Sequence, residues 1–245
     1  MAGQKRSHDD MTEESSKTVP LDTYRTETTP VPKDDQMFTL IVGADGERHQ
    51  VEMKHMTGAG KFFQIALKPC WREGQELVMR MPGEDPNLMS HYLYFLREDK
   101  LDDADLESDA PEDRQSRMFA KLASMYVLGE RMLDCRFKRR VLEAFVAALR
   151  MGGSERRLCP KLDVATAIYD GTPPRSPARR LMVDAFASRE IQPGKQTAFR
   201  EGSDPDFIRD LERIHRASFD DIVRHQMTYW TPRNASDYRR LEYLS

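Results

Sequence analysis

The chain has 245 residues, 39% of them apolar and 32% charged, with a formal net charge of -3. That length supports one ordinary domain with extensions, and the near-neutral balance excludes a general attraction to nucleic acid or to an anionic membrane. No apolar run reaches the roughly 18 residues needed to cross a bilayer, the first ten residues lack the apolar stretch of a secretory signal, and three scattered cysteines, Cys70, Cys135 and Cys159, point to a reducing compartment, cytoplasm or nucleus.

Residues 1–36 are polar and rich in Thr, Pro and acid, with Leu21 and Tyr24 nearly their only large apolar groups. Such a segment cannot bury enough surface to offset ordering entropy, so a disordered tail is expected. Phe38-Thr-Leu-Ile-Val42 then reads as a strand. Gly43-Ala-Asp-Gly46 carries turn chemistry, and Glu47 to Met53 reads as a second strand. Met56 to Leu67 is expected to form one helix with Phe62, Phe63, Ala66 and Leu67 inward. Leu77 to Met81 is a third strand, stopped by Pro82-Gly83. Asp85 caps the next helix with Pro86 at its first position, and that helix buries Leu88, Met89, Tyr92, Leu93 and Leu96. Residues 98–113 hold nine acids against one base, Lys100. Like charges at that density repel and stay solvated, so an acidic surface loop is expected.

Phe119, Leu122, Tyr126, Gly129 and Leu133 recur at helical spacing and make one apolar face. Gly129 weakens a helix relative to Ala, so its place in that face predicts close approach of a neighbouring backbone. Asp134 caps a second helix carrying Phe137, Val141, Leu142, Phe145 and Leu149. Residues 151–245 read as a helical C-terminal extension. A looser connection leads to helices near Leu162–Tyr169, Pro177–Ser188 and Pro205–Tyr229. The last has a stripe of Phe207, Leu211, Ile214, Phe219 and Ile222.

Catalytic chemistry is not indicated. The six histidines are scattered and none forms a zinc-binding spacing. Cys70 has no His or Asn partner by spacing and is expected to be a buried, inert thiol. Gly58-Ala-Gly60 lacks the spacing of a phosphate loop, and no general acid and base pair can be named. The expectation is a chain that is not an enzyme and has no cofactor or metal. The basic runs Arg136, Lys138, Arg139, Arg140 and Arg175, Arg179, Arg180 are expected to be solvated helix faces. They lack the interleaved aromatics that stack bases, so no nucleic acid and no membrane is expected as a partner.

The order strand–strand–helix–strand–helix–helix–helix, with these residues, resembles a BTB/POZ domain over residues 37–150. Phe38 to Val42 is similar to the family's opening strand. Val51, Met56 and Gly60-Lys-Phe-Phe63 stand where the family shows an apolar residue, a Leu and then Ser-x-x-Phe. Leu77 to Pro86 resembles its third strand and the entry to its next helix. Tyr92-Leu-Tyr-Phe-Leu96 is similar to the helix before the family's Tyr-Thr-Gly, and Leu122 to Phe137 is the nearest match. The chain departs at Glu52, where the family has His, at Gly60, where it has Ser, and at Arg97-Glu-Asp99 in place of Tyr-Thr-Gly. These departures, with Ile168 to Thr172 and Ser176 to Asp184 downstream, resemble the divergent BTB proteins of filamentous fungi.

The resemblance implies an α+β fold, a small mixed sheet capped by helices, with a helical C-terminal extension. It implies protein partners: a non-catalytic module acting in self-association, as a homodimer, or as a scaffold. Alternatives are a substrate adaptor of a cullin-based ubiquitin ligase and a transcription-linked scaffold. The last is disfavoured, because no DNA-binding motif follows the domain. For the adaptor reading, Trp71-Arg72-Glu73 matches a hydrophobic–x–Glu triplet that faces a cullin scaffold. It makes Trp71 the apolar plug and Glu73 the charged partner. The competing expectation, which three residues do not outweigh, packs Trp71 back onto the domain and leaves Glu73 ending a strand turn.

Overall fold

The computed structural model describes residues 34–102, 111–150 (side chains from 115), 159–190 (side chains to 187) and 204–213. The described chain is mixed α+β. Three strands form one sheet in the order β2-β1-β3: β1 (Met37–Val42), β2 (Glu47–Glu52) and β3 (Val78–Met81). β1 pairs antiparallel with β2, with Phe38 opposite Val51 and Leu40 opposite His49. It pairs parallel with β3, with Leu40 opposite Met79 and Val42 opposite Met81. The period-two side-chain alternation of a strand puts Phe38, Leu40 and Val42 on one face, and all three are buried with Val51, Met79 and Met81. Gly43 and Gly46, at φ of +77° and +70°, turn the hairpin.

The stretch expected as one helix over Met56–Leu67 is two short ones, α1 (Met53–Met56) and α2 (Lys61–Ala66). Met53 therefore belongs to a helix and not to β2. The break falls at Gly58-Ala-Gly60. Gly60 is extended at ψ 161°, and its N–H leaves the helical ladder to donate to the Tyr92 hydroxyl at 3.0 Å. A further helix that the sequence did not suggest, α3 (Arg72–Glu76), follows. Leu77 caps it in the left-handed region at φ 53°, so β3 starts one residue later than expected.

α4 (Pro86–Glu98) forms as its capping chemistry predicts, with the Asp85 carboxylate accepting from the Leu88 N–H at 2.8 Å. Its buried face is wider than the periodicity marks, since Phe95 and His91 are buried while Leu88 is half-exposed. α5 (Pro111–Arg131) begins inside the stretch expected as acidic loop. Glu112 and Asp113 thus belong to its first turn. Residues 103–110 of that loop, and residues 1–33 of the expected tail, lie outside the described residues.

α5 and α6 (Cys135–Arg150) make the predicted helical hairpin. One member of the expected face is misplaced. Leu133 is 51% exposed and left-handed at φ 53°, while Met132 is buried. The chain must reverse between α5 and the α6 cap, and Leu133 is the residue that takes the reversing conformation. Gly129 is closely approached, by side chains more than by backbone: a Cβ there would lie 2.7 Å from Lys138 Cγ and 3.2 Å from Phe137 Cδ1, with the Lys138 backbone N at 3.6 Å. Gly129→Leu is expected to overpack this contact and cost about 1–3 kcal/mol, read as a lowered midpoint in denaturant unfolding.

Two more helices, α7 (Leu162–Gly171) and α8 (Pro177–Glu190), follow with a helical segment over 205–213. Residues 151–158 and 214–245, including Ile214, Phe219 and Ile222 of the expected stripe, lie outside the described residues. α7 packs on α5 so closely that a Cβ on Gly171 would sit 2.4 Å from a Val127 methyl. Phe207 meets Tyr169 and Phe186 edge-on at 5.4 and 5.1 Å. Val164, Ile168, Leu181, Phe186 and Phe207 share one hydrophobic core with the sheet and the α5–α6 hairpin.

Candidate protein-interaction surface

The α5–α6 turn is the anchor from which the surface segment α2–α3 hangs. Tyr92 on α4 receives the Gly60 N–H and donates its own proton to Asp134 Oδ2 at 2.8 Å. The other carboxylate oxygen of Asp134 accepts from the Phe137 N–H at 2.9 Å, capping α6. The Lys61 and Phe62 amides, free because they open α2, donate to the Leu133 and Met132 carbonyls at 3.3 Å each. Asp134 as a cap was legible from its place before an apolar helical run. Its bond to Tyr92, 42 positions away, had no local signal.

Burial, reinforced by the negative Asp134, holds the Tyr92 phenol well above its ordinary range. Above about pH 10 the unfolded chain releases this proton while the folded chain keeps it. The unfolded state then binds fewer protons, so stability falls as pH rises, by at most about 1.4 kcal/mol per pH unit from this group. Tyr92→Phe is expected to be less stable at neutral pH and to show a shallower alkaline fall than the parent, as measured by urea unfolding from about pH 8 to 11.

Trp71, Arg72 and Glu73 lie together at the start of α3. Trp71 is the extended residue before the helix, at φ -101° and ψ 150°. Its N–H donates to the Lys68 carbonyl at 2.9 Å and its carbonyl accepts from Gln75 N–H at 3.1 Å. With its backbone fixed this way the indole is 52% exposed, so it does not pack fully back on the domain. Arg72 is exposed and turned to Glu76, with Nε 2.7 Å from Oε1. Glu73 is half-buried in the first turn of a helix, not at the end of a strand turn. The neighbouring Cys70 is exposed, contrary to the buried thiol expected. It lies in the tight turn closed by the bond from Trp71 N–H to the Lys68 carbonyl.

The two basic runs are not simple solvated faces. Lys138 is buried and reaches Glu130 at 3.1 Å. Arg140 pairs with Asp99 at 3.3 Å, and Arg136 lies 5.0 Å above the Phe95 ring. Arg179 stacks 4.5 Å over the Tyr169 ring and donates to the Tyr169 and Thr172 carbonyls, closing the end of α7. These cations tie helices together. Among the described residues no group of three or more His, Cys, Asp or Glu could hold a metal ion, and no helix is long and apolar enough to cross a membrane.

No family model, no curated protein and no solved structure matches this chain.

Exposed apolar groups, rather than polar chemistry, distinguish the surface. The large ones among the described residues are Met37, Ile65, Trp71 and Leu133. Only Trp71 was marked by the sequence. Ile65 lies in a helix whose inward face is Phe63, and Leu133 fell in step with the apolar period of α5.

Proposed function

We propose that the chain is a BTB/POZ-type protein-interaction module, non-catalytic, that acts by self-association or as a scaffold. The observation that carries this reading is the arrangement around β1. A hairpin is followed by three short helices and a strand that returns parallel to β1, and then by α4 and a helical hairpin that grips the first turn of α2. The element order follows the one the resemblance implies, with three short helices standing where it has one. A partner for such a module is another protein, and its leading candidate is a second copy of the same chain. Two differently tagged copies, co-expressed and purified through one tag, are expected to co-elute at comparable amounts. Recovery of the captured copy alone would refute self-association.

A second reading, a substrate adaptor of a cullin-based ubiquitin ligase, is favoured by the exposure of Trp71. Trp71→Ala is expected to cost only about 1–2 kcal/mol of fold stability, less than the roughly 3–5 kcal/mol of a core Trp. The same change should abolish capture of a purified cullin N-terminal domain, since an anchoring aromatic carries about 2–4 kcal/mol of affinity. A parent chain that never captures the cullin domain removes this reading.

A further inference from the structure

β2 is an edge strand: the order β2-β1-β3 leaves its outer side without a neighbouring strand among the described residues. Met53 N–H donates to the Gln36 carbonyl at 2.9 Å, so the Met53 backbone faces the β1 side. Backbone direction alternates along an antiparallel strand. In step with Met53, the backbones of Val51, His49 and Glu47 turn to β1, opposite Phe38, Leu40 and Val42. The backbone groups of Arg48, Gln50 and Glu52 therefore point away from the sheet. Such a row is a template for another strand.

The side chains of the same three residues share the outer face of the sheet, out of phase with the buried Val51. In chain order they are a cation, a neutral amide and an anion. Arg48 is exposed and makes no ion pair among the described residues. Glu52 has one of its two oxygens engaged, Oε2 at 2.5 Å from Lys54 Nζ. A two-fold axis at Gln50 would run two β2 strands antiparallel, with Gln50 opposite Gln50 and Arg48 opposite Glu52 twice. Side chains directly opposite stand about 4.5–5.5 Å apart at Cβ. Centring on His49 instead sets Arg48 against Gln50, and centring on Val51 sets Glu52 against Gln50. Only the Gln50 register joins opposite charges. At the other sheet edge the Leu77 and Met81 carbonyls face β1, so Val78 and Arg80 face out, with no carboxylate in β3 to answer Arg80.

We infer that the outer edge of β2 is a self-association surface, on which a second copy pairs β2 to β2 about a two-fold axis at Gln50 and joins the two sheets into one. It rests on the self-association proposed above and adds its place and register. Gln50 exchanges both backbone bonds with Gln50 of the second copy, and each Glu52 N–H donates to the Arg48 carbonyl across the axis. A two-fold contact repeats every pairing, so one Arg48–Glu52 pair becomes two. A foreign extended segment could use the same backbone row. The strand carries its own complement, however: antiparallel to itself, Arg48-x-Gln50-x-Glu52 meets Glu52-x-Gln50-x-Arg48.

The test measures the mass of the full chain in solution by light scattering, with two charge reversals. Arg48→Glu sets Glu against Glu52, and Glu52→Arg sets Arg against Arg48. Each alone is expected to weaken the dimer at least about tenfold. Mixed in equal amounts the two should recover it, because every cross-strand pair of the mixed dimer is again of opposite charge. Neither should move the melting temperature, since both side chains lie on the outer face and Glu52 makes no side-chain cap to α1. A second readout uses no charge. In a chain carrying Cys70→Ser and Cys135→Ser, Gln50→Cys is expected to form an intermolecular disulfide on mild oxidation, its Cα atoms about 5.5 Å apart. Arg48→Cys is not, because its two copies lie roughly 13 Å apart along the paired strands. A parent dimer that both reversals leave intact, or equal cross-linking at 48 and 50, would overturn this surface and leave self-association to another. Reversals that stay apart when mixed would overturn it too. A monomeric parent would sink both readings, and slow alkylation of Gln50→Cys in that monomer would assign the edge to a segment of the same chain.

Discussion

Gly60→Ala should lower stability by about 3 kcal/mol or more, a fall of roughly 6–12 °C in Tm for a chain of this size. A Cβ on Gly60 would lie 2.1 Å from the Met132 carbonyl oxygen and 2.9 Å from Asp134 Cβ. Neither neighbour can yield cheaply, because the carbonyl is backbone and Asp134 is held by two hydrogen bonds. Relief requires α2 to lift from the α5–α6 turn. That would stretch the bonds from Lys61 and Phe62 N–H and the bond from Gly60 N–H to Tyr92. Buried amides stripped of acceptors cost about 1–3 kcal/mol each. The same geometry leaves no room for a Ser at this position. Gly60→Ser should therefore be at least as damaging as Gly60→Ala. A differential scanning trace for either variant that overlays the parent would mean that α2 does not sit this close to the turn.

Asp134→Ala is the second large effect. The Asp134 carboxylate caps α6 through the Phe137 N–H and accepts the Tyr92 proton. Loss of the cap costs about 1 kcal/mol. The stranded hydroxyl, buried with no acceptor, adds about 1–3 kcal/mol. The sum of about 2–4 kcal/mol should appear as a lower midpoint in chemical unfolding. Asp134→Asn should fall between, because its amide oxygen can still cap α6 while its NH2 group cannot accept from Tyr92. An Asn variant as unstable as the Ala variant would show that the cap, and not the Tyr92 bond, is the smaller part.

Both variants bear on function through the same anchor. The segment that carries Ile65 and Trp71 is tied to the body by the Gly60–Tyr92–Asp134 chain and by the α5–α6 carbonyls. Loosening that anchor should weaken the proposed capture of a cullin domain through Trp71.

Regular elements were the most legible part of the fold. The alternation in β1, the Asp85 and Pro86 start of α4 and the apolar stripe of α6 are local patterns with local causes, and each element formed where its pattern lay. Long-range ties were not legible. Nothing near Tyr92 foretells a bond to Asp134, and nothing near Gly171 foretells contact with Val127. Leu133 was misread because it keeps the helical period one step past the point where the chain must reverse. The coming Asp134 cap was the signal that α5 had to end before it. The split of α1 from α2 was also written in the sequence, as two glycines within three residues, and the apolar Phe62-Phe63 pair obscured it. At the candidate surface, residue type marked Trp71 as an anchor but could not fix its exposure. That follows from the turn through Pro69 and Cys70, which places the indole outside the core.

The proposed function is association between protein chains, and its leading form is a homodimer. Sedimentation equilibrium of the full chain over roughly micromolar to 100-fold higher concentrations tests it most directly. The predicted result is a species of twice the 28.4 kDa chain mass that persists on dilution. A single species of 28.4 kDa at every concentration would contradict it.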